Sequence, residues 1–174
     1  MNLEKVLVTG GAGYIGSHLV DALVSRGYAV TVLDNLEPQV HRSGSWPSYV
    51  NLDATYVRGD VRDRHVFEPL VVASDAVVHF AAAVSVGQSM YQIDRYVGVN
   101  TGATGLLLDI LANARHKVRK IVVASSVGVY GEGSYACLSC GLCNPGLRPE
   151  RQLSEGVWDP QCPTCERSLE PQPT

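Results

Sequence analysis

The stretch Val8-Thr9-Gly10-Gly11-Ala12-Gly13-Tyr14-Ile15-Gly16-Ser17-His18 decides how the chain is read. Before it, Lys5-Val6-Leu7-Val8-Thr9 is a short apolar run that predicts a buried strand. After it, Ile15, Leu19, Val20, Ala22 and Leu23 recur at helical spacing, which predicts a helix from Tyr14 to Arg26. Between the two stand glycines at 10, 13 and 16. Gly10 lets the chain turn sharply out of the strand, Gly13 removes a side chain that would block a pyrophosphate, and Gly16 lets the helix pack close to the sheet. A pyrophosphate at this turn would meet backbone N–H groups and the positive end of a helix. An ordinary βαβ unit with a glycine-rich turn is the plainer reading of the same spacing.

The surrounding sequence supplies the context that a dinucleotide site needs. A second apolar run, Ala29 to Leu33, ends in Asp34, about 20 residues beyond the glycines. A carboxylate there accepts hydrogen bonds from the hydroxyls of an adenosine ribose and repels a 2′-phosphate, which favours NAD over NADP.

Working outward, residues 35–51 are polar, are broken by Pro38 and Pro47, and read as a loop. Ala54 to Arg58 reads as a third strand, followed by Gly59-Asp60-Val61-Arg62-Asp63. Asp60 and Val61 fall where an adenine could lie between a carboxylate and an apolar contact; a helix N-cap with an apolar neighbour is the competing reading. Arg64 to Val72 predicts a short helix that Pro69 would kink or end early. Ala76 to Phe80 is a fourth strand running into Ala81-Ala82-Ala83, small residues that let a backbone approach a cofactor. Gln88 to Ala114 carries one long helical pattern, with Leu106, Leu107, Ile110 and Leu111 facing a core. Lys120 to Ser125 is a fifth strand, and Ser126-Val127-Gly128-Val129-Tyr130-Gly131 follows. Strands alternating with helices predict an α/β fold, a Rossmann-type, doubly wound parallel sheet over residues 1–131.

The composition shifts after Gly131. Six of the nine prolines lie at 145 or later, all five cysteines lie between 137 and 165, and apolar periodicity disappears, so 132–174 reads as a separate cysteine-rich segment. Cys137-Leu138-Ser139-Cys140 and Cys162-Pro163-Thr164-Cys165 are two C-x-x-C turns about 20 residues apart, the spacing of a zinc ribbon. The preferred ligand set for a structural zinc is Cys137, Cys140, Cys162 and Cys165, because Gly141 leaves room for backbone N–H groups near the sulfurs of the first turn. Cys140 with Cys143 is the alternative first pair, and free thiols or a redox role stay open. Four protein ligands would leave such a zinc no open position for catalysis.

The totals bound the partners. A net charge of −3 and a pI of about 5.9 give no electrostatic case for nucleic acid or an anionic membrane. No apolar run is long enough to span a bilayer, and the N-terminus enters the first strand without a leader pattern, so the cytoplasm is expected.

Six collinear motifs then carry a resemblance: TGGAGYIGSH (9–18), LDN (33–35), GDVRD (59–63), HFAA (79–82), VNTGATGLL (99–107) and SSVGVYG (125–131). Together they resemble the extended short-chain dehydrogenase/reductases of the nucleotide-sugar epimerase/dehydratase family. The resemblance implies that Gly10, Gly13, Tyr14, Ile15, Gly16, Asp34 and Asn35 bind NAD, with Asp60 and Val61 at the adenine. It places Phe80, Ala81 and Ala82 along the path to the nicotinamide and Asn100 against the cofactor region. Ser126, four residues before Tyr130, matches the family's catalytic serine or threonine, which hydrogen-bonds the sugar hydroxyl; taken alone it reads as a strand-end hydroxyl bonded to backbone. The family's Tyr-x-x-x-Lys is absent: four residues before Lys5, Lys117 and Lys120 stand Met1, Asn113 and His116. The expectation is therefore a chain that stops short of the catalytic pair and is inactive alone. The cysteine-rich insertion after Gly131, with Arg148-Pro149-Glu150 and Trp158 inside it, resembles the family's dTDP-L-rhamnose 4-epimerase subgroup. The implied substrate is a dTDP- or UDP-linked sugar, and the implied assembly when full length is a homodimer through helices that include 88–114. A 4,6-dehydratase or reductase would carry an acidic pair where Val127-Gly128 stand. A non-catalytic NAD-binding protein with a zinc module for partner docking or redox sensing is the other reading.

Overall fold

The computed structural model describes residues 4–173. They form two compact units, the first ending at Ala124 and the second beginning at Ser125.

The first unit is built on five parallel strands, β1 (Lys5–Thr9), β2 (Ala29–Asp34), β3 (Thr55–Arg58), β4 (Ala76–His79) and β5 (Lys120–Val123), in the spatial order β3-β2-β1-β4-β5. The period of two along each strand sorts the side chains to two faces. Val6, Val8, Val30, Val32, Ala76 and Val78 form one apolar cluster with Val20 of α1 (Tyr14–Val24). Leu7, Leu33 and Val77 form the other with Phe67 and Val71 of α2 (Arg64–Val72). Each fully buried Val, Leu or Phe in these clusters contributes about 1.5–3 kcal/mol.

The chain runs β1, β2, β3 toward one edge, then returns to lay β4 on the far side of β1. That reversal opens a crevice at the carboxyl ends of β1 and β4, where ligands of such sheets bind.

α2 spans the predicted Arg64–Val72, and the helices depart from expectation in two ways. First, α2 keeps Pro69 in its interior and still runs to Val72. Proline costs it one N–H bond, but the burial of Phe67 and Val71 on either side holds the helix to the sheet. Second, residues 88–114 are not one helix. They comprise the end of α3 (Val86–Ser89), α4 (Ile93–Tyr96), a π-helical turn (Val97–Gly102) and α5 (Ala103–Asn113). Gly98 and Gly102 with β-branched Val97, Val99 and Thr101 form a stretch of low α-helical propensity there. Leu107 and Ile110 of α5 complete the α2 face of the core.

The second unit opens with a tight turn, Val127–Tyr130, capped by Ser126. The strands β6 (Tyr135–Cys137) and β7 (Gly141–Cys143) make an antiparallel hairpin, and β8 (Glu170–Pro171) pairs with the other edge of β6. Between them lies the single-turn helix α6 (Glu150–Ser154). Buried Gln152 donates to the carbonyls of Val157 and Asp159 at 3.1 and 2.8 Å, and Arg148 bonds both the Trp158 carbonyl and Glu132. With so few buried apolar groups, these polar ties and the hairpins hold the segment together. Among the described residues, no helix is long and apolar enough to cross a membrane.

Candidate functional site

The crevice of the first unit gathers residues from the ends of four strands. Gly10 leaves β1 with φ +71°, and a Cβ there would stand 2.8 Å from the Ala81 nitrogen, so the turn lies against the segment that follows β4. A Cβ on Gly16 would meet the Gly10 carbonyl oxygen at 2.2 Å. Gly13 is different: its nearest neighbour would be that same oxygen at 3.4 Å, an ordinary contact. Gly13 is the N-cap of α1, no side chain caps the helix, and its first turn holds no acid. Tyr14 and Ile15 are 80% and 68% exposed. An uncapped, acid-free helix start beside a glycine turn is suited to a diphosphate. Gly11 does a job that the spacing did not reveal, since a Cβ there would strike Val32 Cγ1 at 2.7 Å.

Asp34, at the end of β2, is buried and held from two sides. Its Oδ2 accepts from the Ala12 N–H at 3.0 Å and its Oδ1 from the Leu36 N–H at 2.9 Å. Each oxygen keeps a further lone pair for a ribose hydroxyl. Leu36 adopts φ +55°, a left-handed conformation that costs about 1–2 kcal/mol. Its bond to Asp34 and its full burial hold it there. The Tyr49 hydroxyl donates to the Ala12 carbonyl at 2.8 Å and pins the 35–51 loop to the glycine turn.

Asp60 is not the N-cap of α2. That role falls to Asp63, which accepts from the His65 N–H. Asp60 instead receives the Arg62 guanidinium through two bonds, 2.9 and 2.8 Å, plus the Arg62 N–H at 2.9 Å and the Asn35 amide at 3.4 Å. The Arg62 side chain, ahead of every other influence, holds the Asp60 carboxyl below its ordinary range. A carboxylate with a lowered folded-state pKa adds stability above about pH 4 and loses it as pH falls through the lowered value. Arg62→Met should therefore cost under about 1 kcal/mol at neutral pH, because the pair is partly exposed. Urea unfolding should show wild type and variant converging as pH falls through the lowered value. Val61 is buried in the core, so its side chain offers little surface to an adenine.

Phe80, Ala81 and Ala82 continue from β4 along the crevice. Thr9, fully buried at the end of β1, fixes their path: its Oγ1 accepts from the Phe80 and Ala81 N–H groups at 3.2 and 3.1 Å and lies 2.9 Å from His79 Nδ1. Asn100, on the π-helical turn, clamps the same segment one step further on, accepting from the Ala83 N–H at 2.8 Å and donating to its carbonyl at 3.1 Å. Neither Thr9 nor His79 was singled out from the sequence, because their pairing joins residues 70 positions apart.

Ser126 belongs to the second unit. Its Oγ accepts from the Gly128 N–H at 3.2 Å, the local backbone bond expected of such a serine. That leaves its hydroxyl proton and one lone pair for another partner.

The second unit also draws four cysteines together. The sulfurs of Cys137, Cys140, Cys162 and Cys165 all lie within 4.8 Å of one another, with Cys137 and Cys165 at 3.5 Å. Around a tetrahedral zinc with bonds of about 2.3 Å, sulfurs stand ~3.8 Å apart, so the set fits one ion. Cys143 is outside this group. The two turns are built alike. Backbone N–H groups at Ser139 and Cys140 bond the Cys137 sulfur, and those at Thr164 and Cys165 bond the Cys162 sulfur. These bonds favour the thiolate: Cys137 is lowered, and Cys162 falls to about 6. Cys140, hydrogen-bonded to Cys165 and crowded by the other sulfurs, is pushed up to about 12. Each turn ends in a left-handed residue, Gly141 at φ +82° and Glu166 at φ +58°.

Residues 6–139 match the NAD dependent epimerase/dehydratase family. The chain is 33% identical to a dTDP-L-rhamnose 4-epimerase from Burkholderia thailandensis over 98% of its own length and 49% of that protein's. It is 38% identical to a UDP-glucose 4-epimerase from Bos taurus over 90% of this chain and 48% of the other. Among solved structures, it is similar to a UDP-glucose 4-epimerase from Brucella ovis in complex with NAD (TM-score 0.60, 36% identity, 74% of this chain and 37% of that one). The epimerase Mth375 from Methanothermobacter thermautotrophicus gives a TM-score of 0.64 at 28% identity over 90% of this chain and 45% of the other. The chain thus spans about half the length of the curated relatives it matches. With its glycine turn, its Asp34 and its strand order in agreement, the chain belongs to the NAD dependent epimerase/dehydratase family.

Proposed function

We propose that this chain is the NAD-binding portion of a nucleotide-sugar 4-epimerase and carries a structural zinc ribbon. The observation that carries the reading is the likeness to the dTDP-L-rhamnose 4-epimerase, which runs through the cysteine region as well as the α/β unit. A UDP-linked sugar is the other substrate class, supported by the UDP-glucose 4-epimerases. NAD fits the crevice: the start of α1 takes the diphosphate, Asp34 the ribose, and the Phe80–Ala82 segment flanks the nicotinamide. When bound, NAD supplies a reversible hydride acceptor. Ser126 would hydrogen-bond the sugar hydroxyl at C4 and orient it. The proton from that hydroxyl needs a general base, which the family's Tyr-x-x-x-Lys provides. Here Tyr130 and Tyr135 are followed four residues on by Ser134 and Ser139. The four cysteines would fill zinc's coordination shell, so the metal's role is to fold the second unit.

The homodimer reading is supported by the apolar residues that α3, α4 and the π-helical turn leave exposed, Val86, Met90, Ile93 and Val97, at spacings of three and four.

Incubation of the chain with NAD⁺ and either dTDP-L-rhamnose or UDP-glucose, followed by NMR of the sugar, should show no C4 epimer. Epimerisation by this chain alone would contradict the proposal.

A further inference from the structure

We propose that His79 is a positioning residue for the cofactor segment: its neutral ring accepts a hydrogen bond from the Thr9 hydroxyl, and this sets the oxygen of Thr9 to hold the Ala81 N–H and to share that of Phe80. The inference rests on the NAD reading of the crevice.

A threonine hydroxyl has one proton and two lone pairs. At Thr9 the Oγ1 lone pairs face the N–H of Ala81, at 3.1 Å, and that of Phe80, at 3.2 Å, which also bonds the Thr9 carbonyl at 3.1 Å. Among the described contacts, the one acceptor within reach of the hydroxyl proton is His79 Nδ1, 2.9 Å away. Nδ1 must then be the bare nitrogen of the ring, and the neutral imidazole carries its hydrogen on Nε2. That nitrogen is buried and is the one buried side-chain nitrogen or oxygen without a hydrogen-bond partner among the described residues. The cost of such an orphan is about 1–3 kcal/mol. An apolar residue would fill the position without that cost, since the ring stacks on Phe67 of α2 with centroids 5.9 Å apart. The side chain therefore serves the Thr9 contact and not the core.

Thr9 and His79 are register partners on adjacent strands, so the contact lies where β1 and β4 end and the crevice begins. On the other side, β5 presents Val123 in register with His79. Among the described residues no carboxylate or cation bonds the ring, and burial is the influence that holds its pKa below the ordinary value. Protonation puts a hydrogen on Nδ1, facing the Thr9 O–H. Thr9 must then turn its proton elsewhere, which weakens its hold on the Ala81 N–H, while the Phe80 N–H keeps the Thr9 carbonyl. A histidine with a depressed folded-state pKa stays neutral below about pH 6.5, and the contact is lost as pH falls through the depressed value. NAD affinity should fall with it.

The test combines ¹⁵N NMR of the histidine ring with NAD⁺ titrations of the full chain from pH 8 to 5. The expected tautomer has an unprotonated Nδ1. The dissociation constant for NAD⁺ should rise by up to about tenfold per pH unit at the acid end. His79→Asn offers an amide oxygen to Thr9 and does not titrate, so it should keep near-native affinity at pH 7.5 and a flat acid limb. His79→Phe keeps the ring stacking without an acceptor and should bind at least about tenfold more weakly. Should that variant not fold, Thr9→Val removes the hydroxyl instead, with the same expected loss. An Nδ1–H tautomer overturns the proposal, as do superimposable acid limbs for wild type and His79→Asn. Failure of NAD⁺ to bind at any pH overturns the NAD reading itself, and the ring tautomer then reports on the Thr9 contact independently.

Discussion

Gly16→Ala should abolish NAD binding and lower the stability of the first unit by about 3 kcal/mol, the upper end of what an overpacked methyl costs. The added Cβ would meet the Gly10 oxygen at 2.2 Å, the Gly11 Cα at 2.7 Å and the Gly10 carbonyl carbon at 3.0 Å. All three are backbone atoms of the glycine turn, so no side chain can move to make room. The turn cannot retreat either, because Gly10 already lies against Phe80 and Ala81 and Gly11 against Val32. An open turn misdirects the N–H groups that a diphosphate needs, and a loss of 100-fold or more in affinity follows, about 2.7 kcal/mol. Gly13→Ala is the informative contrast. Its Cβ would make only an ordinary contact within the protein. That variant should fold with wild-type stability, so any loss of NAD affinity in it reports a clash with the ligand. Calorimetric titration with NAD⁺ and thermal unfolding of both variants separate the two effects.

Removal of metal should unfold the second unit and leave the first intact. Apolar burial in the ribbon is slight, and among its largest buried contributions are Cys137 and Cys162 themselves. Zinc binding to such sites is worth about 10–16 kcal/mol in apparent free energy, far more than the hairpins supply. Treatment with a chelator should erase the amide signals of residues 135–171 while those of β1 to β5 persist. Cys162→Ser should lose zinc, measured by elemental analysis, because it removes a ligand of the four-sulfur group. Cys143→Ser should retain one zinc per chain. Loss of zinc in Cys143→Ser would mean that the ion sits on a different set.

Local pattern made most of the first unit legible. The apolar run that predicts β1 coincides with the observed strand, and the predicted ends of β2 to β4 fall within one residue of the observed ones. The two C-x-x-C turns were legible as a four-sulfur group, with Cys140 and Cys143 as the alternative first pair; the left-handed Gly141 that ends the first turn shows only in the structure. The rest depended on contacts that no local window holds. Apolar spacing continues through 97–102, but the π-helical turn there carries Asn100, whose amide grips Ala83. Whether Asp60 meets an adenine or caps a helix was open in Gly59-Asp60-Val61-Arg62-Asp63; the cap falls to Asp63, and the Arg62 guanidinium engages Asp60. Thr9 read as the last residue of a strand, and only the pairing of β1 with β4 shows that its hydroxyl bonds the segment that follows His79.

The crevice at the ends of β1 and β4 is proposed to be an NAD site. Its most direct test is calorimetric titration of the purified chain with NAD⁺ and, separately, NADP⁺. One NAD⁺ should bind per chain, and NADP⁺ should bind at least about tenfold more weakly, because the buried Asp34 carboxylate repels a 2′-phosphate. Equal affinity for the two, or no binding of NAD⁺ by a chain whose first unit is folded, would contradict the account.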